Sequence, residues 1–424
     1  MIRHRPGRSL SQNLVAGVLA LVIAMGIGRF AYTPILPAMQ ARFDLSNAAA
    51  ATLASSNYLG YLLGAVLAAF VPAGRPQDMV LRSSLWTVAA TTVLVGLTTD
   101  FPAWFALRFV AGLAGAGVFV LGSAVVLEEL LRRGRLGLSG IIYSGPGIGI
   151  ALSGIVLLLL NGLLAGDPTA WRADWLLLGI LAFALVFPCA AWLPFGKASD
   201  QRSGRVTGDA APMKEKVAVS DPAATGAIFA LALLALAYFL EGIGYIVTGT
   251  FLPTIVESLP GLGGLGAGAW ILVGLAAAPS TVLWALAASR SGAVVALAVA
   301  FALQAAGILL PVVSSAWWVA AGSTVLFGGT FTGISALTLT YARRLTGTPG
   351  SGRTIGFLTA VYGVGQVLGP LVAARLTIGA DRFGPALVAA SVAVTLGALL
   401  MPVVGLVGMI NARHRKECVN GAAN

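Results

Sequence analysis

Three ionisable side chains stand inside long apolar stretches of this sequence: Arg29, Arg108 and Glu241. A charge at mid-helix in hydrocarbon costs ~2.5 to 3.5 kcal/mol on insertion scales, so such groups turn toward a protein interior or an aqueous cavity and pair there. The chemistry open to them is recognition and proton exchange: a guanidinium holds an anion, and a buried carboxyl responds to its surroundings by changing protonation. Other polar groups keep them company. Tyr238, Glu241, Tyr245 and Thr248 are spaced by three, four and three residues and so share one helix face, and Thr359, Tyr362 and Gln366 form a similar stripe. Tyr32 and Thr33 follow Arg29, and Asn57 and Tyr61 stand four residues apart in the next apolar stretch.

Soluble-enzyme chemistry is excluded by what is missing. The only histidines, His4 and His414, lie in opposite tails, so no His-based triad, zinc site or His-Cys cluster forms in the apolar body. We expect no metal, no cofactor and no enzymatic activity. Gly261-Leu-Gly263-Gly264-Leu-Gly266 has the spacing of a dinucleotide fingerprint, but it joins two apolar segments instead of a strand and a helix. Cys189 and Cys418 fall in a span and a tail, which argues against a disulfide between them.

The elements that position these residues follow from composition. With 58% apolar residues, 10% charged residues and a mean hydropathy of +0.91, there is too little polar surface to cover a soluble domain of 424 residues. The solvent is lipid, and a spanning helix needs ~20 apolar residues. Twelve spans are predicted, at residues 12–39, 47–73, 79–98, 102–128, 138–163, 173–195, 223–256, 264–289, 293–313, 317–342, 353–377 and 383–410. Gly26-Ile-Gly28-Arg29 returns 216 residues later as Gly242-Ile-Gly244-Tyr245, and Leu36-Pro37 returns as Leu252-Pro253. The same shift carries each early span onto a late one, as in a transporter built from two repeats. The fold class is therefore an all-α membrane protein of twelve transmembrane helices in two pseudo-symmetric six-helix bundles, residues 1–195 and 223–424. Residues 196–222, hydrophilic and rich in charge, form the linker.

A net charge of +11 invites a nucleic-acid reading, but the basic residues sort by side. With the N-terminus inside, twenty of the 26 Lys and Arg lie in inner loops and tails, and only Arg42, Arg172 and Arg382 in outer loops. The positive-inside rule thus puts both termini and the linker in the cytoplasm, and the scatter over short segments argues against nucleic acid. The first span carries Arg29, Pro34 and Pro37 and is read as a retained helix, not a cleaved signal. Spans 3, 6, 9 and 12 have no charge in their cores, which suits helices facing lipid. Trp104, Trp171, Trp175, Trp317 and Trp318 fall near outer span ends, the usual place of interface anchors.

Two six-span halves, a basic central loop and Arg108-Phe-Val-Ala-Gly112 resemble the major facilitator superfamily (MFS), whose fourth span carries an Arg followed four residues later by Gly. The segments GIGRFAYTPILPAM, SSNYLGYLLGA, YSGPGIGIALSG, YFLEGIGYIVTGTFLP, PSTVLWALAASRSG and TAVYGVGQVLGP resemble its bacterial YbfB/YjiJ-type branch. The resemblance implies that helices 1, 4, 7 and 10 line a central cavity, where Arg29, Arg108 and Glu241 fall. The loop VPAGRPQDMV keeps Gly74 and Arg75 but departs from the superfamily pattern of Gly-x-x-x-Asp-Arg-x-Gly-Arg. Gly145-Pro146-Gly147-Ile-Gly149 resembles the fifth-span motif of drug:proton antiporters, which points toward efflux; the same run also serves close helix packing.

The expected function is an alternating-access transporter of a small organic solute in the bacterial inner membrane, monomeric and driven by protons. Glu241 would titrate; Arg29 and Arg108 would hold an anionic or dipolar part of the substrate. Tyr32, Asn57, Tyr61, Tyr245, Tyr362 and Gln366 would orient it. Alternatives stay open. Glu241 as a structural partner of an Arg, Arg29 as a packing residue, and Arg108 snorkelling to the interface are the bland readings. At the level of the whole chain the rivals are an uncoupled facilitator or channel and a non-transporting sensor.

Overall fold

A computed structural model describes residues 9–164, 166–194, 222–346, 351–377 and 383–421, and among these it is built from helices. The first half holds α1 (Leu10–Phe43), α2 (Asn47–Ala68), α3 (Arg75–Leu97), α4 (Phe101–Arg132), α5 (Ser139–Leu163) and α6 (Ala170–Trp192). The second half holds α7 (Pro222–Ser258), α8 (Gly266–Ser291), α9 (Ala293–Val313), α10 (Trp317–Thr346), α11 (Ser351–Leu376) and α12 (Gly384–Gly421). Eleven of these are long and apolar enough to cross a membrane. The twelfth, α2, is 22 residues long and is diluted by Ser55, Ser56, Asn57 and Tyr58, all buried. Its polar face is turned inward. The linker at 196–222 falls outside the described residues but for the first residue of α7.

Local chemistry sets the helix ends. Ser9 and Gln12 form a capping box on α1; Ser46 accepts from the Ala49 N–H to open α2, and Asp100 does the same for α4 through Ala103. Asp44 closes α1 in the left-handed conformation, and Gly292, at φ 86°, turns the chain between α8 and α9. Gly261 and Gly264 also take positive φ, so the fingerprint-like run is a turn between α7 and α8.

Large apolar side chains exposed on α3, α6, α9 and α12, among them Trp86, Ile180, Leu303 and Leu399, need hydrocarbon around them. The outer tryptophans divide. Trp317 and Trp318 are exposed, as interface anchors are, but Trp104, Trp171 and Trp175 are buried. The Trp104 indole donates to the Val95 and Thr98 carbonyls, and its ring packs edge-on against Trp171 and Phe43. These three close the first bundle from within, a correction to the anchor reading.

The repeat is visible in the packing. A Cβ on Gly26 would collide with the Gly149 backbone, bringing α1 onto α5; 216 residues on, a Cβ on Gly365 of α11 would stand 2.6 Å from the Phe239 carbonyl oxygen of α7. The halves meet where α2 packs on α11, α5 on α8, and α1 on α7. The offset converts α2 into α8 and α5 into α11, so the first two seams are one contact repeated by a pseudo-two-fold axis. Thr33 and Gly249, themselves 216 residues apart, meet on that axis through a 2.7 Å hydrogen bond.

Candidate functional site

Arg108 is buried, with both Nη atoms bonded to backbone and only Nε left without a hydrogen-bond partner. Its Nη1 and Nη2 each donate over 2.9 Å, to the carbonyls of Gly28 and Arg29. Sequence accounts for those free carbonyls: α1 runs as a π-helix over Val22–Phe30, and Pro34 offers no N–H to the turn before it. The guanidinium also lies 5.0 Å from the Tyr32 ring centre and 5.8 Å from that of Trp175. Arg108 thus braces α1 and does not snorkel. Gly112 lets α2 come close enough, since a Cβ there would collide with the Asn57 carbonyl, and Asn57 Nδ2 donates to the Arg108 carbonyl over 2.8 Å.

Arg29 is placed differently. It is 4% exposed, its guanidinium lies 4.4 Å from the Tyr61 ring centre and 4.8 Å from that of Tyr58, and Nε and Nη2 find no hydrogen-bond partner in the protein. The rings give cation–π stabilisation of ~2 kcal/mol at such a desolvated site, but they do not satisfy N–H groups. A buried guanidinium with free donors is built to receive an acceptor.

Across the interface, Tyr245, Tyr362 and Gln366 come together. The Gln366 amide donates to the Tyr245 hydroxyl, and the Tyr245 and Tyr362 rings lie parallel with centres 5.6 Å apart. Tyr238 stacks on Tyr362 at 4.1 Å, and Phe331 on Tyr245 at 5.8 Å. Phe331 in turn meets Phe30, next to Arg29, at 6.0 Å. Tyr32 is committed elsewhere, its hydroxyl donating to the Ala50 carbonyl over 2.9 Å. Of the polar groups expected at the site, those of Arg29, Tyr61, Tyr245, Tyr362 and Gln366 gather at the junction of the halves, while Tyr32, Asn57 and Arg108 build the wall behind it.

Glu241 is 0% exposed, and its carboxyl faces Gln304 and Tyr362 without a well-formed hydrogen bond to either. It does not pair with Arg29 or Arg108, so the structural ion-pair reading falls. Tyr245 and Tyr362 are neighbours of both Arg29 and Glu241. Several buried polar residues escaped the sequence reading, two of them in otherwise apolar spans. Gln304 of α9 faces Glu241, and Asp174 of α6 is buried with one oxygen unpartnered. Single polar residues in otherwise apolar spans were the available signal.

Hydrogen bonds between the halves cluster toward one end of the bundle. Besides Thr33 to Gly249, Tyr58 meets Thr250 through hydroxyls 3.2 Å apart, and Ser55 donates to the Val367 carbonyl over 2.8 Å. Thr254 donates to Gln40 over 3.4 Å. All lie on the side where α1 ends and α2 begins.

The family profile described as "Uncharacterised MFS-type transporter YbfB" matches residues 21–402. The chain belongs to the YbfB-type family of MFS transporters. It is a multi-pass membrane protein with the MFS fold. Among curated proteins, it is 28% identical over 257 residues to a chloramphenicol resistance protein of Streptomyces lividans, covering 60% of each chain. It is also 28% identical over 185 residues to the uncharacterized MFS-type transporter YceJ of Bacillus subtilis (strain 168), covering 41% of this chain and 43% of that one. The match thus spans less than two thirds of either relative. Solved structures with the same fold include the nucleoside transporter NupG, with a TM-score of 0.68 at 14% identity covering 93% of this chain and 98% of that one. A D-xylose-proton symporter superposes with a TM-score of 0.70 at 13% identity, covering 92% and 97%.

Proposed function

We propose that this YbfB-type protein moves a small anionic or zwitterionic organic solute across the bacterial inner membrane by alternating access, using Glu241 as its proton carrier. The observation that carries the substrate reading is Arg29: a buried cation with two free donors, at the junction of the halves, and with no carboxylate beside it. An anionic group on the solute supplies the acceptor the protein withholds, and the surrounding rings exclude water and sharpen that attraction. Arg108 keeps the α1 backbone in place behind it. Tyr61, Tyr245, Tyr362 and Gln366 orient the remainder of the solute.

Both termini and the linker at 196–222 are cytoplasmic in this reading, with the bundles bounded at residues 195 and 223. The seam joined by Thr33, Ser55 and Tyr58 is then the outer gate. Export is the favoured direction, in keeping with the Gly145-Pro146-Gly147 run and the resistance named for the Streptomyces relative. The chain acts as a monomer and as a carrier, not an enzyme.

The test is a ligand screen on purified protein in lipid nanodiscs, read as thermal stabilisation. A solute at a hundred times its Kd adds ~2.7 kcal/mol of stability. Carboxylated solutes should stabilise the protein more than their neutral amides, and Arg29→Met should erase the difference. A screen in which neutral and anionic analogues rank equally would remove the anion from the reading. Orientation is tested by single cysteines at Ser199 and Ser314 in a background lacking Cys189 and Cys418: an impermeant thiol reagent on intact cells should reach only position 314.

A further inference from the structure

Gln304 lies in α9, and its side chain is 0% exposed with neither Nε2 nor Oε1 hydrogen-bonded. It faces Glu241 of α7, whose two oxygens likewise lack a well-formed hydrogen bond. Two polar groups of this kind, side by side in a membrane bundle, are each expensive to leave unsatisfied. The repeat makes the pairing more telling. The offset of 216 carries Met25 to Glu241 and Val88 to Gln304, so the first copy has apolar side chains at both positions and the second has polar ones at both. Helix packing alone does not require either.

An amide carries a donor and an acceptor on one planar group, and a half-turn exchanges them. We infer that Gln304 is the positioning residue that holds the Glu241 side chain in both of its protonation states, an inference that rests on reading Glu241 as the proton carrier. In the acid form the carboxyl O–H donates to Oε1 of Gln304. When that bond breaks, the O–H turns to the Tyr362 side and the proton leaves there, while the amide turns over and Nε2–H donates to the carboxylate. One proton departs, and no other covalent bond forms or breaks. Gln304 thereby keeps the carboxyl aimed at Tyr362, toward the junction of the halves, in either state.

The ionisable groups around Glu241 are few. Tyr238 and Tyr245 flank it on α7, Tyr362 faces it from α11, and Arg29 of α1 is reached through Tyr245 and Tyr362. No ionisable residue occurs in α9 or in residues 384–410 of α12, and those of α10 are confined to its far end, at Tyr341, Arg343 and Arg344. The amide is thus the one polar contribution from the α9 side.

The experiment uses the full chain in lipid nanodiscs and the hydrogen ion itself as probe. Infrared difference spectra are recorded against pH, and the carboxylic C=O band lost in Glu241→Gln identifies the group. Gln304→Met keeps the volume and removes both donor and acceptor. Because the charged form loses the stronger bond, the pH at which the band is half lost should rise by about one unit, a tenfold change in proton affinity. Gln304→Glu, also isosteric, should replace one titration step by two coupled ones, and it carries the test if the methionine variant does not assemble. A single step at the parent's pH in either variant overturns the role of Gln304 while leaving Glu241 as the carrier. The absence of any titrating band assigned through Glu241→Gln would instead overturn the carrier reading and the inference with it.

Discussion

The two copies of the repeat solve the same packing problem and then part company at their polar positions. In the first copy α1 carries Arg29, and Arg108 of α4 spends its guanidinium on two α1 carbonyls. In the second copy the equivalent positions are Tyr245 and Thr324, and the Thr324 hydroxyl bonds only within its own helix, to the Ala321 carbonyl. Polarity reappears elsewhere, at Glu241 and Gln304, where the first copy has Met25 and Val88. One half is thus equipped with cations and braced backbone, and the other with an unpaired carboxylate, an amide and a column of parallel rings. A carrier that binds an anion in one half and a proton in the other needs this asymmetry, whereas its glycine contacts can stay symmetric.

The comparison breaks most sharply at Arg108. Arg108→Ala strands two backbone carbonyls in a buried wall and should cost ~3 to 5 kcal/mol, seen as loss of folded protein or a large fall in Tm; Thr324→Ala at the equivalent position should cost only ~1 kcal/mol. Similar losses at both sites would show that Arg108 does not brace α1.

Symmetry of the glycine contacts is the next test. Gly149→Val and Gly365→Val force apart α1 and α5, and α7 and α11, and overpacking of this kind costs ~1 to 3 kcal/mol. The two Tm shifts should agree closely, and a silent substitution in one half would mean that the repeat has relaxed there.

Arg29→Met gives up the cation–π contacts with Tyr58 and Tyr61 but relieves a buried cation with two unpartnered donors, so stability should change by no more than ~2 kcal/mol in either direction. Its effect should appear in binding, as a loss of at least tenfold in preference for a carboxylated solute over its neutral amide, about 1.4 kcal/mol. A large fall in Tm with selectivity retained would make Arg29 a packing residue. Smallest in stability and most specific in function is Glu241→Gln. It should change stability by no more than the ~1 kcal/mol of one hydrogen bond and preserve solute exchange in proteoliposomes, yet abolish accumulation driven by a pH gradient. Undiminished accumulation would favour the uncoupled or structural readings.

Much of this was legible in the linear chain because lipid imposes simple rules. Span length, the 216-residue echo of Gly26-Ile-Gly28 and the apolar runs specify twelve helices in two copies, since a backbone in hydrocarbon has few alternatives to the helix. The same cost that keeps charge out of lipid singled out Arg29, Arg108 and Glu241 as residues with work inside the protein. What tertiary structure alone decided is how each of them is held. Arg108 and Arg29 are indistinguishable as letters, and only the π-turn of α1 and the missing N–H of Pro34 supply carbonyls to one and not the other. Trp104, Trp171 and Trp175 read as surface anchors until helix packing turns them inward, and Gln304 reads as a stray polar residue until α9 sets it against Glu241. Helix formation is local and follows from composition; satisfaction of a buried polar group depends on atoms brought from distant parts of the chain, which only the packed helices supply.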